Sequence, residues 1–281
     1  MSAPITLIIG FARDEVLESL GRLLAGGGRE VVNITDLATV GLTVPIHGAA
    51  SDFAIEREGR RRVLDTRSSA LFAYGHVGRL ADPLTSAYRS AESYCSWFTF
   101  LSLFGGRVVN RPHRFLPPVH SDPLLGRSIA RASGVPAVAD LVSSSWQCAG
   151  LPSTHAVSDL VSGLSVWMSG PDTQRGIVSH LDYSQAAEHA VALKLPKQTL
   201  VLTFDNAGRL APAGDALRPE IIKLAETVCQ TFELSYAYAC FIRQDRDWKF
   251  SRLFTSPPRT LDPKVIETAS AELADWLAAD G

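Results

Sequence analysis

The first 34 residues carry the pattern that most restricts the fold of this chain. Ile5 to Ile9 is a continuous apolar run that ends at Gly10, which is typical of a buried strand. From Asp14 to Leu24 the apolar residues recur at helical spacing, and the run Gly26 to Gly28 ends that helix. A second strand is predicted from Glu30 to Ile34. A strand, a helix and a strand in this order predict a parallel sheet with a crossover helix.

Two further segments of the first half have distinct patterns. Residues 52–64 predict an exposed hairpin, and its basic run Arg60-Arg61-Arg62 is typical of a solvated edge. A long helix is predicted from Ser86 to Phe104, and its many aromatic side chains indicate core packing rather than a cofactor site. The proline-marked stretch Pro112 to Pro118 is the candidate linker. We therefore expect one domain over residues 1–115 and another over residues 116–281.

The second half alternates strands and helices. Ser121-Asp122-Pro123 has the capping side chain and the first-turn proline of a helix start, and this helix is expected to end at Ala132. Further elements are expected as strands at Ser165–Met168, Gly176–Ser179, Ala190–Leu195, Thr199–Phe204, Tyr236–Ile242 and Trp248–Phe254, and as helices at Arg218–Phe232 and Pro263–Ala279. These elements predict an α+β arrangement after the parallel start.

Composition excludes several classes of protein. The net charge of -2 gives no electrostatic reason to expect nucleic acid or an anionic membrane as partner. No apolar run reaches the roughly 18 residues of a membrane span, and the N-terminus lacks the pattern of a signal peptide, so a cytoplasmic location is expected. The four cysteines are far apart, which supports neither a zinc site nor a disulfide framework and predicts buried thiols.

Three passages of the sequence, in their order and spacing, match the pattern of one known superfamily. The first is Trp97 to Pro112, an aromatic helix, a glycine stop and Val-Val-Asn-Arg-Pro. The second is Ser121 to Ser145, with a helix followed by Ala-Ser-Gly-Val-Pro. The third is Leu217 to Pro258, with a helix, a Tyr-Ala strand, a polar turn and a last strand. Together these passages resemble the ATP-grasp superfamily, in particular ligases of the ribosomal-S6-modifying type. The resemblance implies an N-terminal parallel βαβ domain followed by a shortened α+β nucleotide-grasp domain.

The resemblance also implies a set of ligands that this chain lacks. Family members activate a carboxylate as an acyl phosphate, with lysine on the phosphates and Mg²⁺ on acidic side chains. Met168 stands at the expected lysine position, and no lysine precedes Lys194. Cys240 stands at the position of the metal-binding Asp, and Arg252 and Phe254 stand at those of the Glu and Asn. A thiol is a poor ligand for Mg²⁺, which selects oxygen. No bound metal is therefore expected.

Several polar residues remain candidates for ligand binding, each beside a simpler interpretation. Asn110, Arg111 and Arg114 gather at the expected domain junction, where they either meet a ligand or satisfy backbone groups. Lys194 either replaces a lost cation or is a solvated strand-end lysine. Arg252 either pairs with a phosphate or carboxylate, or faces solvent and neighbouring acids.

Three functions follow from the resemblance and the missing ligands. The leading hypothesis is a degenerate homologue that acts as a scaffold or regulatory partner, in a homo- or hetero-oligomer with an active ligase or with a peptide substrate. The second is a noncanonical ATP-dependent ligase or transferase that uses Arg111, Arg114 and Arg252. The third is a module that binds a nucleotide or an anion without metal; no cofactor is expected, except ATP bound without Mg²⁺.

Overall fold

The computed structural model describes residues 3–10, 14–45, 52–73, 85–112, 123–137, 154–159, 163–170, 173–179, 188–244 and 246–279. Its elements in chain order are β1 (Ile5–Ile9), α1 (Glu15–Gly26), β2 (Glu30–Ile34), a 3₁₀ turn (Leu37–Thr39), β3 (Gly41–Thr43), β4 (Ala54–Arg57), β5 (Arg60–Val63), β6 (Ser69–Phe72), α2 (Thr85–Leu103), β7 (Arg107–Val109), α3 (Pro123–Ala132), β8 (Thr154–Asp159), β9 (Gly163–Gly170), β10 (Thr173–Ser179), β11 (His189–Lys194), β12 (Thr199–Phe204), β13 (Leu210–Pro212), α4 (Arg218–Thr231), β14 (Ala237–Gln244), β15 (Asp247–Phe254) and α5 (Pro263–Ala278).

The N-terminal sheet is parallel, as the sequence predicts. Its strand order is β2-β1-β6-β7, and each pair runs in the same direction. Alternating side chains of β1 separate its two faces, since Leu7 packs with the aromatic residues of α2 and Ile8 packs with α1. Trp97 is fully buried there, and its Nε1 donates to the carbonyl of Leu37 over 3.1 Å. The aromatic helix is therefore part of the core, which confirms that prediction.

A second, antiparallel sheet of β3, β4 and β5 lies beside this layer. Glu58 and Gly59 join β4 to β5 with φ values of 53° and 71°, which a two-residue hairpin turn of the primed type requires. The expectation of an exposed hairpin is correct for β5 and wrong for β4. Ala54 and Ile55 are both buried, and Ile55 belongs to the hydrophobic core that also contains the aromatic residues of α2.

The C-terminal sheet is antiparallel, with the strand order β13-β12-β11-β14-β15. One face carries small side chains such as Ala192 and Ala239, which pack in one cluster with Ala225 of α4. The opposite face, which we call the Cys240 face, carries Cys240 and Val191 and belongs to a cluster that also includes residues of α1 and α5. The fold is thus mixed α/β, with a parallel sheet followed by an antiparallel one.

Contacts between α1, α5 and the sheets hold the parallel and antiparallel parts together. Ser19 of α1 and Ser270 of α5 share a hydrogen bond of 3.0 Å. The Thr255 hydroxyl donates to the carbonyl of Ala73 at the end of β6, also within the buried interior. The expected boundary near residue 115 lies outside the described residues, so the division into residues 1–115 and 116–281 stays a prediction.

Three smaller findings complete the description. Strands β8, β9 and β10 form a separate antiparallel sheet with β9 in the middle. Cys229 and Cys240 are buried as predicted, but Cys95 is exposed on the outer side of α2, and Cys148 lies outside the described residues. In the part of the chain that the structure describes, no helix is both long and apolar enough to cross a membrane.

Candidate nucleotide site

Cys240 and Arg252 lie side by side on the Cys240 face. They are direct partners in the antiparallel register of β14 and β15, and Phe254 pairs with Tyr238 two residues further along the same face. Directly opposed side chains have Cβ atoms about 4.5–5.5 Å apart, a spacing that lets two ligands share one ion. The register therefore brings together, on one face, the three positions at which the resemblance expects metal ligands.

A β-bulge at Ser251 determines which side chains share this face. The register steps from Cys240–Arg252 to Phe241–Phe250, so Ser251 is the extra residue. Beyond the bulge, Ile242 pairs with Lys249. Because side chains alternate along each strand, Lys249 joins Arg252 on the Cys240 face. Strict alternation from Arg252 would have placed Lys249 on the opposite face.

Arg252 and Phe254 contact each other on this face. The guanidinium carbon of Arg252 lies 5.4 Å from the centre of the Phe254 ring, within the range of a cation–π interaction. Both side chains are half-buried, whereas Cys240 is 2% exposed. The face therefore carries fixed positive charge from Arg252 at the position where the resemblance expects a carboxylate to bind a cation.

Magnesium does not fit the side chains at these positions. Mg²⁺ requires near-octahedral oxygen ligands, and a thiol, a guanidinium and a phenyl ring supply none. Within the described ranges, no group of three or more His, Cys, Asp or Glu residues is arranged to hold a metal ion. The chemistry that these three side chains offer is binding of an anion by Arg252, since guanidinium pairs with carboxylate and phosphate oxygens.

Asn110, a candidate ligand residue, makes internal hydrogen bonds. It has a φ of 56°, is 1% exposed and follows β7 directly. Its Oδ1 accepts from the amides of Ser235 and Tyr236 over 3.0 and 2.9 Å, and its Nδ2 donates to the Tyr236 carbonyl over 2.7 Å. These bonds connect the end of β7 to the beginning of β14 and favour the interpretation that Asn110 satisfies backbone groups.

Arg111 likewise binds backbone groups, although the residue is exposed. Its guanidinium donates to the carbonyls at the end of α2 and beyond, namely Leu101, Phe104 and Gly106, over 2.8, 2.7 and 2.8 Å. The Leu101 carbonyl is one of those that the last turn of a helix leaves without an intrahelical partner, and the other two come just after the helix, so Arg111 caps α2. Burial lowers the pKa of Arg111 from its ordinary value. Arg114 lies outside the described residues.

The remaining candidates do not join the Cys240 face. Lys194 pairs in register with Thr199 and Ala237, which places it on the α4 side of the sheet by strand alternation. Met168 lies on the central strand β9 of the separate three-stranded sheet, opposite Thr154 and Gly176. The structure thus brings together Cys240, Arg252 and Phe254 of the predicted set. It adds Lys249, which sequence alternation alone assigns to the other face.

No protein-family model matches the sequence, and no curated protein matches it. Solved structures do match. The macrocyclase MdnC of Microcystis aeruginosa MRC, solved with the precursor peptide MdnA, superposes with a TM-score of 0.61 at 15% identity, covering 97% of this chain and 98% of MdnC. A RiPP-associated ATP-grasp ligase of Chryseobacterium gregarium, in complex with ADP and a leader and core peptide, gives 0.62 at 12% identity over 98% and 96%.

A third match is the RimK domain protein ATP-grasp from Sphaerobacter thermophilus DSM 20745, with a TM-score of 0.53 at 13% identity over 98% of both chains. At such identities the similarity establishes the fold. The chain therefore has the ATP-grasp fold over nearly its whole length, which confirms the fold that the resemblance implies.

Proposed function

We propose that this chain is a catalytically degenerate ATP-grasp homologue that acts as a non-catalytic scaffold or regulatory partner in peptide modification. The observation that carries the proposal is the in-register placement of Cys240, Arg252 and Phe254 on one face. The resemblance expects metal ligands at these three positions, and each of the three side chains present is unable to bind Mg²⁺. A phosphoryl transfer that relies on Mg²⁺ bound by these positions is thereby disfavoured.

The structural neighbours support the choice of peptide modification. MdnC was solved with a precursor peptide, and the Chryseobacterium ligase with a leader and core peptide. We infer from the shared fold that this chain also contacts a peptide or an active ligase. The proposed partners are therefore a modifying ligase or its peptide substrate, in a homo- or hetero-oligomer in the cytoplasm.

A second candidate is a module that binds an anion without metal. It is favoured by Arg252, which stacks on Phe254, and by Lys249 on the same face. Two cations on one half-buried face stabilise a phosphate or carboxylate more strongly than they would in open water. ATP without Mg²⁺ is the nucleotide form that this candidate predicts.

A noncanonical ligase or transferase that uses Arg111, Arg114 and Arg252 has less support. Arg111 is engaged with three carbonyls around the end of α2, so its guanidinium is already committed to a cap. Arg252 lies on the antiparallel sheet, where the register pairs it with Cys240.

Calorimetry with ATP, in the presence and in the absence of Mg²⁺, distinguishes these functions. The scaffold proposal predicts no Mg²⁺-dependent binding and no release of ADP, together with co-purification of a ligase or precursor peptide. Metal-independent ATP binding that is lost in Arg252→Ala and kept in Arg209→Ala, a matched arginine of the β12–β13 turn, would support the anion module. Mg²⁺-dependent tight binding followed by ADP release would overturn both.

A further inference from the structure

The outer edge of β5 is a regular strand edge without a partner strand among the described residues. β5 is the last strand of the β3-β4-β5 sheet and pairs only with β4 there. Its register with β4 is regular, with no bulge and no proline in Arg60–Val63. Proteins commonly block free edges with such features, because an open edge pairs with other chains. The β5 edge has neither a bulge nor a proline; instead, three of its four residues are arginines.

The hairpin register shows which backbone groups of β5 point outward. In a two-residue hairpin, the residues that flank the turn form a hydrogen-bonded pair, here Arg57 and Arg60. The amide of Leu64 donates to the carbonyl of Phe53 over 2.8 Å, which marks a second such pair further along the two strands. Because bonded and non-bonded pairs alternate, the N–H and C=O groups of Arg61 and Val63 point away from β4. Two residues of β5 therefore offer donors and acceptors to an added strand.

The arginines of β5 make this edge strongly positive. Arg62 forms an ion pair of 2.5 Å with Glu30 of β2. Arg60 and Arg61 are exposed and form no ion pair with the described residues. Arg60 stands directly opposite Arg57 on the same face of the hairpin, and like charges in that position destabilise a strand pair. An anionic group bound beside them would relieve this repulsion.

An exposed apolar side chain completes the edge. Val63 is 49% exposed at the end of β5 and is one of three large apolar residues that are exposed in the described part of the chain. It shares its face of the hairpin with Arg61, since the two are separated by one residue. The edge therefore combines outward backbone hydrogen-bonding groups, two arginines without an ion pair to any described residue, and one exposed apolar side chain.

We propose that the outer edge of β5 is the docking site for an extended acidic segment of another protein, which adds to the β3-β4-β5 sheet as a fourth strand. Main-chain hydrogen bonds at Arg61 and Val63 supply the pairing, as in other cases of strand addition. Carboxylates of the segment pair with Arg60 and Arg61, and an apolar residue contacts Val63. The site does not include the Cys240 face, so it is independent of whether the chain binds nucleotide.

Charge alone would also attract nucleic acid, but a duplex lacks peptide groups to pair with the edge. The test therefore compares two probes by fluorescence anisotropy at low salt. One is a labelled eight-residue peptide that repeats Glu-Glu-Val, so that its carboxylates lie on both faces of an extended strand. The other is a labelled DNA duplex of twelve base pairs. The proposal expects peptide binding that weakens as salt is added and exceeds DNA binding. No peptide binding, or equal binding of DNA, would overturn it.

Three variants separate the effect of charge from that of strand pairing. Arg60→Gln and Arg61→Gln should each weaken peptide binding about two- to fivefold, the range expected of exposed ion pairs. Val63→Pro keeps all three arginines and all hydrogen bonds between β4 and β5, but it removes an outward N–H. It should abolish binding; unchanged affinity would refute strand addition.

A second measurement guards against misfolding of Val63→Pro. The same peptide, N-methylated at alternate amides, is titrated into the unaltered chain. Its charge is kept while half of its backbone donors are removed, so affinity should fall at least tenfold when the methylated amides face β5. Methylation at the odd amides and at the even amides gives two peptides to compare with the unmethylated one. If all three bind with equal affinity, the edge attracts only charge and the proposal is wrong.

Discussion

Asp14 gives the most quantitative prediction, because its carboxylate is buried at the beginning of α1. Its Oδ1 accepts from the amides of Val16 and Leu17 over 3.0 and 3.2 Å and so caps the helix. Its Oδ2 is buried and has no hydrogen-bond partner among the residues that the structure describes. Desolvation by burial raises the pKa of Asp14 from 3.8 to about 6, although the two amide bonds act in the opposite direction. The perturbation is Asp14→Asn, which keeps the capping oxygen and removes the charge.

The size of the effect follows from linkage. A rise of the pKa from 3.8 to about 6 corresponds to about 3 kcal/mol, and little screening applies at 4% exposure. Because the folded pKa is raised, the folded state binds more protons than the unfolded state between these two values. The contribution of Asp14 to stability is therefore fully present below pH 3.8 and is lost as pH rises through about 6.

Four other titratable side chains affect or surround Asp14. Glu15 and Glu18, in the first turn of α1, raise the pKa of Asp14 further. Tyr236 and Tyr238 are both fully buried, with their hydroxyl oxygens 3.1 Å apart, and burial raises the pKa of each, with the charge of Asp14 adding to the rise. Both tyrosines remain neutral across the pH range of the experiment, so Asp14 is the titrating member of this cluster.

The assay is urea unfolding of the unaltered chain and of Asp14→Asn from pH 4 to pH 8, monitored by tryptophan fluorescence. Asp14→Asn should become more stable than the unaltered chain as pH rises, by up to about 3 kcal/mol above pH 7. Asp262→Asn is the matched control, because Asp262 caps α5 through the amide of Lys264 but is half-exposed. A stability difference for Asp14→Asn that stays constant with pH, or that grows toward acid, would refute the reasoning.

Three other substitutions test how the two parts of the fold are joined. Asn110→Ala should lower the free energy of unfolding by about 3–5 kcal/mol, because it leaves three backbone groups without their hydrogen-bond partner and puts alanine at a φ of 56°. In urea unfolding, Asn110→Gly should recover about 1 kcal/mol of this loss, because glycine adopts a positive φ without strain. Equal stabilities of the two variants would contradict the contribution of backbone strain. Arg111→Lys should lower the melting temperature more than Arg131→Lys, an exposed position in the last turn of α3, since an ammonium cannot reach the carbonyls that the guanidinium fork contacts. Glu272→Gln should destabilise by about 1–3 kcal/mol, because the Glu272 carboxylate accepts from the amides of Lys197 and Gln198 and from the Gln198 side chain; an unchanged midpoint would exclude this clamp.

Much of the scaffold is predictable from the sequence because its signals are local. The apolar run before Gly10 and the helical spacing after Asp14 predict the parallel start that the structure has. Along β14 and β15, the Tyr-Ala strand and the following polar turn locate both strands to within a few residues. Local patterns of this kind need no knowledge of distant contacts.

The site is less predictable, since it depends on register and on partners far away in the chain. The bulge at Ser251 moves Lys249 onto the Cys240 face, and nothing in the run from Asp247 to Phe254 marks which residue is extra. The Asn-Arg pair at the end of β7 is a candidate ligand site from the sequence, whereas in the structure Asn110 forms hydrogen bonds with the backbone of Tyr236. Only the three-dimensional pairing reveals such long-range contacts.

The central claim is that the Cys240 face cannot hold a divalent cation with a nucleotide. Electron paramagnetic resonance of Mn²⁺ with ADP tests it directly, because binding to protein broadens the Mn²⁺ signal. The variant Cys240→Asp, Arg252→Glu and Phe254→Asn, checked for folding, restores the ligand types that the resemblance implies and serves as the comparison. The unaltered chain is expected to leave the Mn²⁺–ADP signal as it is in buffer. Saturable loss of that signal on addition of the unaltered chain would contradict the account.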